Sequence, residues 1–442
     1  MRDKMQSTQK SPEEQYNERS KRLAIAAALK VPDRIPISIE DEGVFVKYGG
    51  HNWADVMYDI QKAMDGVRKL CMDLNQDTHA LPFVMCPGQI YDILNFKQVK
   101  WPGAKLAENR LDNPNAVFRF VEPGTGFEAM DPSEYDWFLN DPTDFMIRGY
   151  WPKVSKALEP LRKLPAMWHI NSYTRQPLLA PFGTPEISQA LEALIAAGRE
   201  ALKYNSAIAQ FAIEMVRLGY PPRNIAACSE PFDFFGDYMR GTIGRMLDMY
   251  RHPDKIKDAV DKVTPMILEQ VLTAARLKLS MLEQAMPGVN HTKHVAMYLH
   301  GGAGVFMSNE QFKEFYWPTL RTMLLGIIDA GFTPYMFSEG IYNDRFEIIK
   351  DLPKGKVVWH IEADIFRAKE MLGDTCCIEG GPPASIIERG SIDDVKEYAK
   401  KLIKVCGKDG GFIMGVAHSM LDAKYENVKA LVDYTKQYGV YG

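Results

Sequence analysis

A chain of 442 residues, 46% hydrophobic and 25% charged, has room for an ample core in one large domain with insertions or in two domains. Its formal charge of −4, with no basic stripe, excludes a nucleic-acid backbone as partner. No apolar run approaches about 18 residues, which excludes a membrane-spanning helix.

The opening decapeptide lacks the apolar stretch of a secretory signal. It reads as a disordered tail. Ser11-Pro12-Glu13-Glu14 is a helix start, with Ser as N-cap, Pro at the first helical position and acids in the first turn. That helix is expected to run to about Lys30, so that residues 1–30 form a tail and helix ahead of the main domain. A short strand, Ile35–Ile39, follows and ends in the acidic run Glu40, Asp41, Glu42. A helix over roughly 53–74 and a second strand, Ala80–Met85, come next. The region 97–183 is irregular and rich in Pro, Gly, Trp and Tyr, and reads as an insertion after the second strand. Helical periodicity returns over 184–219, a third strand is expected at Asn224–Ser229, and helices fill 232–285.

The last part is the most regular. Candidate strands at 295–300, 333–338, 356–361, 375–379 and 411–416 alternate with amphipathic helices near 309–330, 343–351, 364–372, 392–407 and 424–437. Short buried strands separated by helices imply parallel βα units. Eight such units over residues 31–442 suggest a single catalytic domain, a (β/α)8 TIM barrel, with chemistry at the carboxyl ends of its strands. Strand counting also allows an open doubly wound sheet.

The strand ends carry the candidate chemistry. Glu230 follows the third strand and His300 ends the fourth. Glu339 ends the fifth, His360 and Glu362 the sixth, Glu379 the seventh and His418 the eighth. A single His at a strand end is as well explained by a structural hydrogen bond, and Glu40–Glu42 by a solvated acidic loop. Glu379, within Ile378-Glu-Gly-Gly-Pro-Pro383, reads as part of a tight turn. Glu339, His360 and His418 together are different, since carboxylates are seldom buried without a partner and a divalent cation supplies one. Two imidazoles and a carboxylate suit zinc with an open coordination position. They also describe the ligand triad of iron(II) oxygenases, although nothing else points to oxygen chemistry. Glu230, His300 and Glu362 are the candidate proton donors.

Phe83, Tyr150, Trp151, Trp168, Tyr173, Phe182, Phe232, Phe234, Phe235, Tyr335 and Tyr342 are expected to be mostly core, and collectively able to wall a pocket for a planar substrate. The six cysteines are scattered without CxxC spacing and read as reduced thiols, which fits a cytoplasmic enzyme. There is no GxGxxG after the first strand, no P-loop and no GxSxG elbow. No Asp-x-His-x-x-Gly run is present to ligate a cobalamin, so any corrin must arrive on another protein.

Four segments carry a family resemblance. They are Val31-Pro-Asp-Arg-Ile-Pro-Ile37, Glu230-Pro-Phe-Asp-Phe-Phe-Gly-Asp-Tyr-Met-Arg-Gly241, Glu310-Gln-Phe-Lys-Glu-Phe-Tyr-Trp-Pro318, and Gly410-Gly-Phe-Ile-Met-Gly-Val-Ala-His418 with Glu426-Asn-Val428. In this order they resemble the uroporphyrinogen decarboxylase superfamily, whose fold is a (β/α)8 barrel. The decarboxylases hold substrate carboxylates with an arginine-rich loop after the first strand. Here Glu40, Asp41 and Glu42 reverse that charge and argue against a polycarboxylate substrate. The cobalamin-dependent methyltransferase branch remains. Its members acting on coenzyme M bind zinc through a His-x-Cys after the fifth strand and a Cys after the eighth. In this chain the matching positions are Phe337, Glu339 and His418, with His360 one strand over, so harder ligands replace thiolates. The resemblance implies a zinc-assisted O-demethylase methyltransferase. It would move a methyl group from a methoxylated aromatic to cob(I)alamin on a corrinoid protein. Two alternatives stay open: transfer from a methylated corrinoid protein to a thiol or other acceptor, and a non-catalytic corrinoid-protein docking or maturation factor. The donor and the oligomeric state, a homodimer included, are not fixed by the sequence.

Overall fold

The computed structural model describes residues 10–39, 43–82, 87–171, 173, 176–416 and 421–442. Its centre is a six-stranded, all-parallel sheet made of β1 (Ala226–Ser229), β2 (His294–Leu299), β3 (Thr333–Ser338), β4 (Val358–His360), β5 (Cys377–Gly380) and β6 (Phe412–Met414), in that spatial order. Each strand is short and almost wholly buried beyond β1, as parallel strands covered by crossover helices must be.

Three extended segments continue the hydrogen bonding beyond this sheet without forming ladders. Ile37 bridges Met414 in parallel, with Ser38 N donating to Met414 O at 2.9 Å. Asp77 N donates to Ile37 O at 2.9 Å. His79 bridges Pro222 in parallel, and Ile225 N donates to His294 O of β2 at 2.9 Å. The sequence explains why bridges replace ladders. Pro36, Pro82, Pro221 and Pro222 each remove a backbone donor. The expected first strand is therefore a bridged segment centred on Ile37. The second makes its bridge at His79, ahead of the expected Ala80–Met85, and residues 83–86 lie outside the described set.

The first helix, α1 (Pro12–Ala27), has the expected start, with Ser11 Oγ accepting from Glu14 N at 3.2 Å and Glu14 Oε2 accepting from Ser11 N at 2.7 Å. Its apolar face is not on the outside of the sheet. Leu23, Ala26 and Ala27 pack in one cluster with Ala296, Tyr335, Phe337, Val358, Cys377 and Ile413. Those six residues lie on one face of β2 to β6, the face that α1 covers.

The long helices α2 (Pro185–Arg217) and α3 (Pro253–Ala285), with α4 (Trp317–Asp329), α5 (Ile392–Val405) and α6 (Tyr425–Tyr438), agree with the expected periodicity. Several expected helices are interrupted, among them 309–330, which has a π-helical turn at Phe312–Tyr316. The 53–74 segment breaks at Asp59, whose backbone is extended. The 232–285 segment is four pieces, including a π-helical turn at Phe235–Arg240. Within 97–183 the chain forms a small three-stranded sheet, in which Val99–Pro102 pairs with Arg110–Leu111 and antiparallel with Arg119–Phe120, and a series of short helices.

Candidate active site

Parallel register decides which strand-end side chains meet. Tyr298, Phe337, His360 and Glu379 share the sheet face that α1 covers, with Phe337 paired to both Tyr298 and His360 and His360 paired to Glu379. The next step on that face beyond Tyr298 is His300, and beyond Phe337 it is Glu339. Glu339 N donates to Leu299 O at 2.8 Å, which seats Glu339 and His300 side by side at the ends of adjacent strands. His360 sits one such step deeper than Glu339.

His300 is held at three points. Its backbone N donates to Asp233 Oδ2 at 2.8 Å, its Nδ1 lies 3.1 Å from Asp237 Oδ1, and its ring meets Phe306 edge-on with centroids 5.1 Å apart. The side chain keeps 26% of its surface exposed. The Asp237 hydrogen bond raises the imidazole's proton affinity above its usual value, against burial, which lowers it. Burial pushes the Asp237 carboxyl up, with His300 pulling the other way. Asp237 can only accept in its ionised form, so the imidazole is the proton carrier of the pair.

Asp233 supports this pair from below. It is buried, and its two oxygens also accept from Gly301 N at 2.7 Å, Arg245 Nη1 at 2.8 Å and Tyr316 Oη at 2.6 Å. Asp233 and Asp237 were not among the expected site residues. Their four-residue spacing after Glu230 was the available signal, since it places both on one side of a helical turn.

The other expected residues are placed as follows. Glu230 is fully buried and caps the helix that begins at Pro231: its Oε2 accepts from Phe232 N at 2.6 Å and Asp233 N at 3.0 Å, and its Oε1 from Thr319 Oγ1 at 2.9 Å. Burial first, and then the charge of Asp233, raise its carboxyl well above the usual range. Every acceptor face in use is turned to the protein. Glu362 Oε2 accepts from Gly340 N at 2.9 Å, so it braces the turn after Glu339, where Gly340 has φ of +122°. It also borders a cavity of about 260 Å³ with Asn343, Asp364 and Tyr398. Burial raises the Tyr238 phenol, a hydrogen bond with Ser229 opposes it, and the charges of Asp237 and Glu339 add to the rise.

His360 is buried, with its ring stacked on Phe337 at 4.6 Å and 12°. Its Nδ1 lies 3.3 Å from Glu379 Oε1, and its Nε2 is buried without a hydrogen-bond partner among the described residues. Glu379 is not in a turn, contrary to expectation. It belongs to β5 and is buried, because the strand continues through Gly380 before Gly381-Pro-Pro breaks it. Arg223 Nη2 donates to it at 2.5 Å and Tyr335 Oη at 2.8 Å. Burial works to raise the Glu379 carboxyl, and the Arg223 charge and the neighbouring hydrogen bonds outweigh it, so the group lies below the usual carboxylate range.

His418, the third expected metal ligand, and Glu40, Asp41 and Glu42 lie outside the described residues. Among the described residues no three His, Cys, Asp or Glu side chains form a group placed to hold a metal ion. The fit of a zinc ion therefore rests on the donors themselves. His360 offers a buried nitrogen with no partner among the described residues, and Glu339 a strand-end carboxylate, both of which suit zinc. Of the expected aromatic wall, Phe83 lies outside the described residues. Tyr150, Phe232, Phe235, Tyr335 and Tyr342 are core, and Trp168 and Tyr173 are largely exposed. The ring against His300 is instead Phe306, and one residue pair deeper along the strands Phe337 and Tyr298 meet edge-on at 5.6 Å.

A parallel α/β fold with its titratable groups gathered at the carboxyl strand ends is the layout of an α/β enzyme. The uroporphyrinogen decarboxylase (URO-D) family model matches residues 212–438, more than half the chain, and the protein belongs to that family. Among solved structures, a methyltransferase from Methanosarcina mazei superposes with a TM-score of 0.56 at 13% sequence identity, over 95% of this chain and 98% of that one, which shows a shared fold. No curated protein matches the chain in sequence. Among the described residues no helix is long and apolar enough to cross a membrane.

Proposed function

We propose that the protein is a methyltransferase that takes a methyl group from a methoxylated aromatic compound and passes it to cob(I)alamin on a partner corrinoid protein. The observation that carries the reading is the His300–Asp237 pair, a proton carrier on the strand end whose neighbour carries Glu339. Family membership and the fold shared with a methyltransferase support it. In this reading the bridges through Ile37, Asp77 and His79 close the six-stranded sheet into a (β/α)8 barrel over residues 31–442. The 97–183 insertion then follows the second strand and α1 covers the base.

The reaction breaks the methyl carbon–oxygen bond. The bonding pair stays on the aryl oxygen, and the electron pair of cob(I)alamin forms the new carbon–cobalt bond. Aryl oxide is a poor leaving group, so the oxygen needs a proton as the bond breaks. His300 is the donor: Asp237 keeps its ring protonated and oriented, and Asp233 fixes the backbone that carries it. Glu362 anchors Gly340 and so holds the Glu339 turn. Glu230, spent as a helix cap, has no part in the transfer. Zinc held by Glu339, His360 and His418 would supply Lewis-acid polarisation of the ether oxygen.

Elemental analysis of the purified protein, followed by an anoxic screen of methoxyarenes with cob(I)alamin, tests the reading. Demethylation by a zinc-loaded protein is expected. Methyl transfer from methylcobalamin to a thiol with no demethylation would reverse the direction. Metal-independent binding of a corrinoid protein with neither activity would make the chain a docking factor.

A further inference from the structure

Below the strand ends lies a buried polar cluster that proton transfer to the substrate does not use. Arg223, Tyr335, His360 and Glu379 are all buried, and Glu379 Oε1 is their common centre. It accepts from Arg223 Nη2 at 2.5 Å and from Tyr335 Oη at 2.8 Å, and it lies 3.3 Å from His360 Nδ1. Arg223 Nη2 is also 3.4 Å from that nitrogen, but its shorter bonds go to Glu379 and to Tyr335. A carboxylate only accepts, so the imidazole nitrogen facing it carries the ring's hydrogen. A neutral imidazole has one such hydrogen, which leaves Nε2 as a bare lone pair. That atom is buried and without a partner among the described residues. The stack on Phe337 fixes the plane of the ring.

We propose that Glu379 is a positioning residue that fixes His360 with Nδ1 as donor and Nε2 presented as the open ligand to a divalent metal ion. Metal-bound histidines commonly donate their second ring nitrogen to a carboxylate, which sets tautomer and orientation, and losing such a partner weakens metal affinity roughly 10- to 100-fold. The inference rests on the reading of His360 as a zinc ligand.

Two measurements separate its failure from that of the reading. The first is the ¹⁵N spectrum of the histidine rings in the metal-free protein, with the His360 signals assigned by their loss in His360→Gln. A protonated Nδ1 and a bare Nε2 are expected, and the opposite tautomer overturns the proposal. This readout needs neither activity nor the folding of a Glu379 variant. The second is zinc affinity, measured by competition with a chromogenic chelator, in the wild type and in Glu379→Gln, with circular dichroism as the folding control. A roughly 10- to 100-fold loss in a folded Glu379→Gln protein is expected, and unchanged affinity overturns the proposal. A wild type that takes up no zinc would instead defeat the metal reading, leaving the tautomer to decide what Glu379 does.

Discussion

His300 is held by two carboxylates with separate tasks: Asp233 fixes its backbone and Asp237 its ring. The consequence for pH follows from the direction of its shift. The folded imidazole keeps its proton above the ordinary histidine range. The acid form is therefore complete at low pH, and activity is expected to fall as pH rises through the elevated value. The stability the pair contributes has the same sign, present below the unfolded imidazole's range and lost above the folded one. Asp237→Asn removes the charge responsible, and is expected to move the alkaline limb of the rate profile to lower pH. His300→Gln is expected to lower the demethylation rate about 10²- to 10⁴-fold, the usual contribution of a general acid. A pH–rate profile of the three proteins checks both, and an unmoved limb in Asp237→Asn would separate Asp237 from the proton. Glu230 teaches the complementary lesson. Glu-Pro is a helix-start signal as much as an active-site one, and the cap is what the fold made of it.

At the scale of elements, the turn after β2 hangs on one buried ion pair. Asp233 and Arg245 each leave only 1% of the side chain exposed. Removing the acid strands a buried guanidinium, so Asp233→Ala is expected to cost about 3–5 kcal/mol in a denaturant melt, far more than a surface ion pair. Helix α1 is the second test. Leu23 is buried against one face of the sheet, so Leu23→Ala is expected to cost about 2–5 kcal/mol. A loss below about 1 kcal/mol would mean that α1 does not cover the core. The strands at the two ends of the chain differ in how readable they were. β3 occupies the expected 333–338 because an apolar run there is bounded on both sides. The first two strands reduce to bridges because prolines interrupt their donors, a tertiary outcome that local pattern does not fix. Glu379 was obscured by the Gly-Gly-Pro-Pro that follows it: the turn begins one residue later than the composition suggests. Arg223, in Pro221-Pro-Arg-Asn224, looks like a loop residue, and only pairing with a carboxylate 156 positions away reveals its place.

Across the whole molecule, the alternation of strand and helix after residue 224 made the parallel sheet legible, and with it the gathering of His300, Glu339 and His360 at its strand ends. The family resemblance supplied what spacing alone did not, the branch of chemistry to expect. Register was not legible. It is register that puts Glu339 beside His300 and sets His360 a step deeper, and it depends on hydrogen bonds between segments far apart in the chain. The central claim is the direction and chemistry of methyl transfer. Its most direct measurement is the fate of a ¹³C-labelled aryl methoxy group incubated anoxically with the protein and cob(I)alamin. The label is expected on cobalt as methylcobalamin, with one phenol formed per methyl moved, and the transfer is expected to fall by at least about 100-fold in His300→Gln. Label remaining on the ether, while methylcobalamin and a thiol yield a thioether, would contradict it.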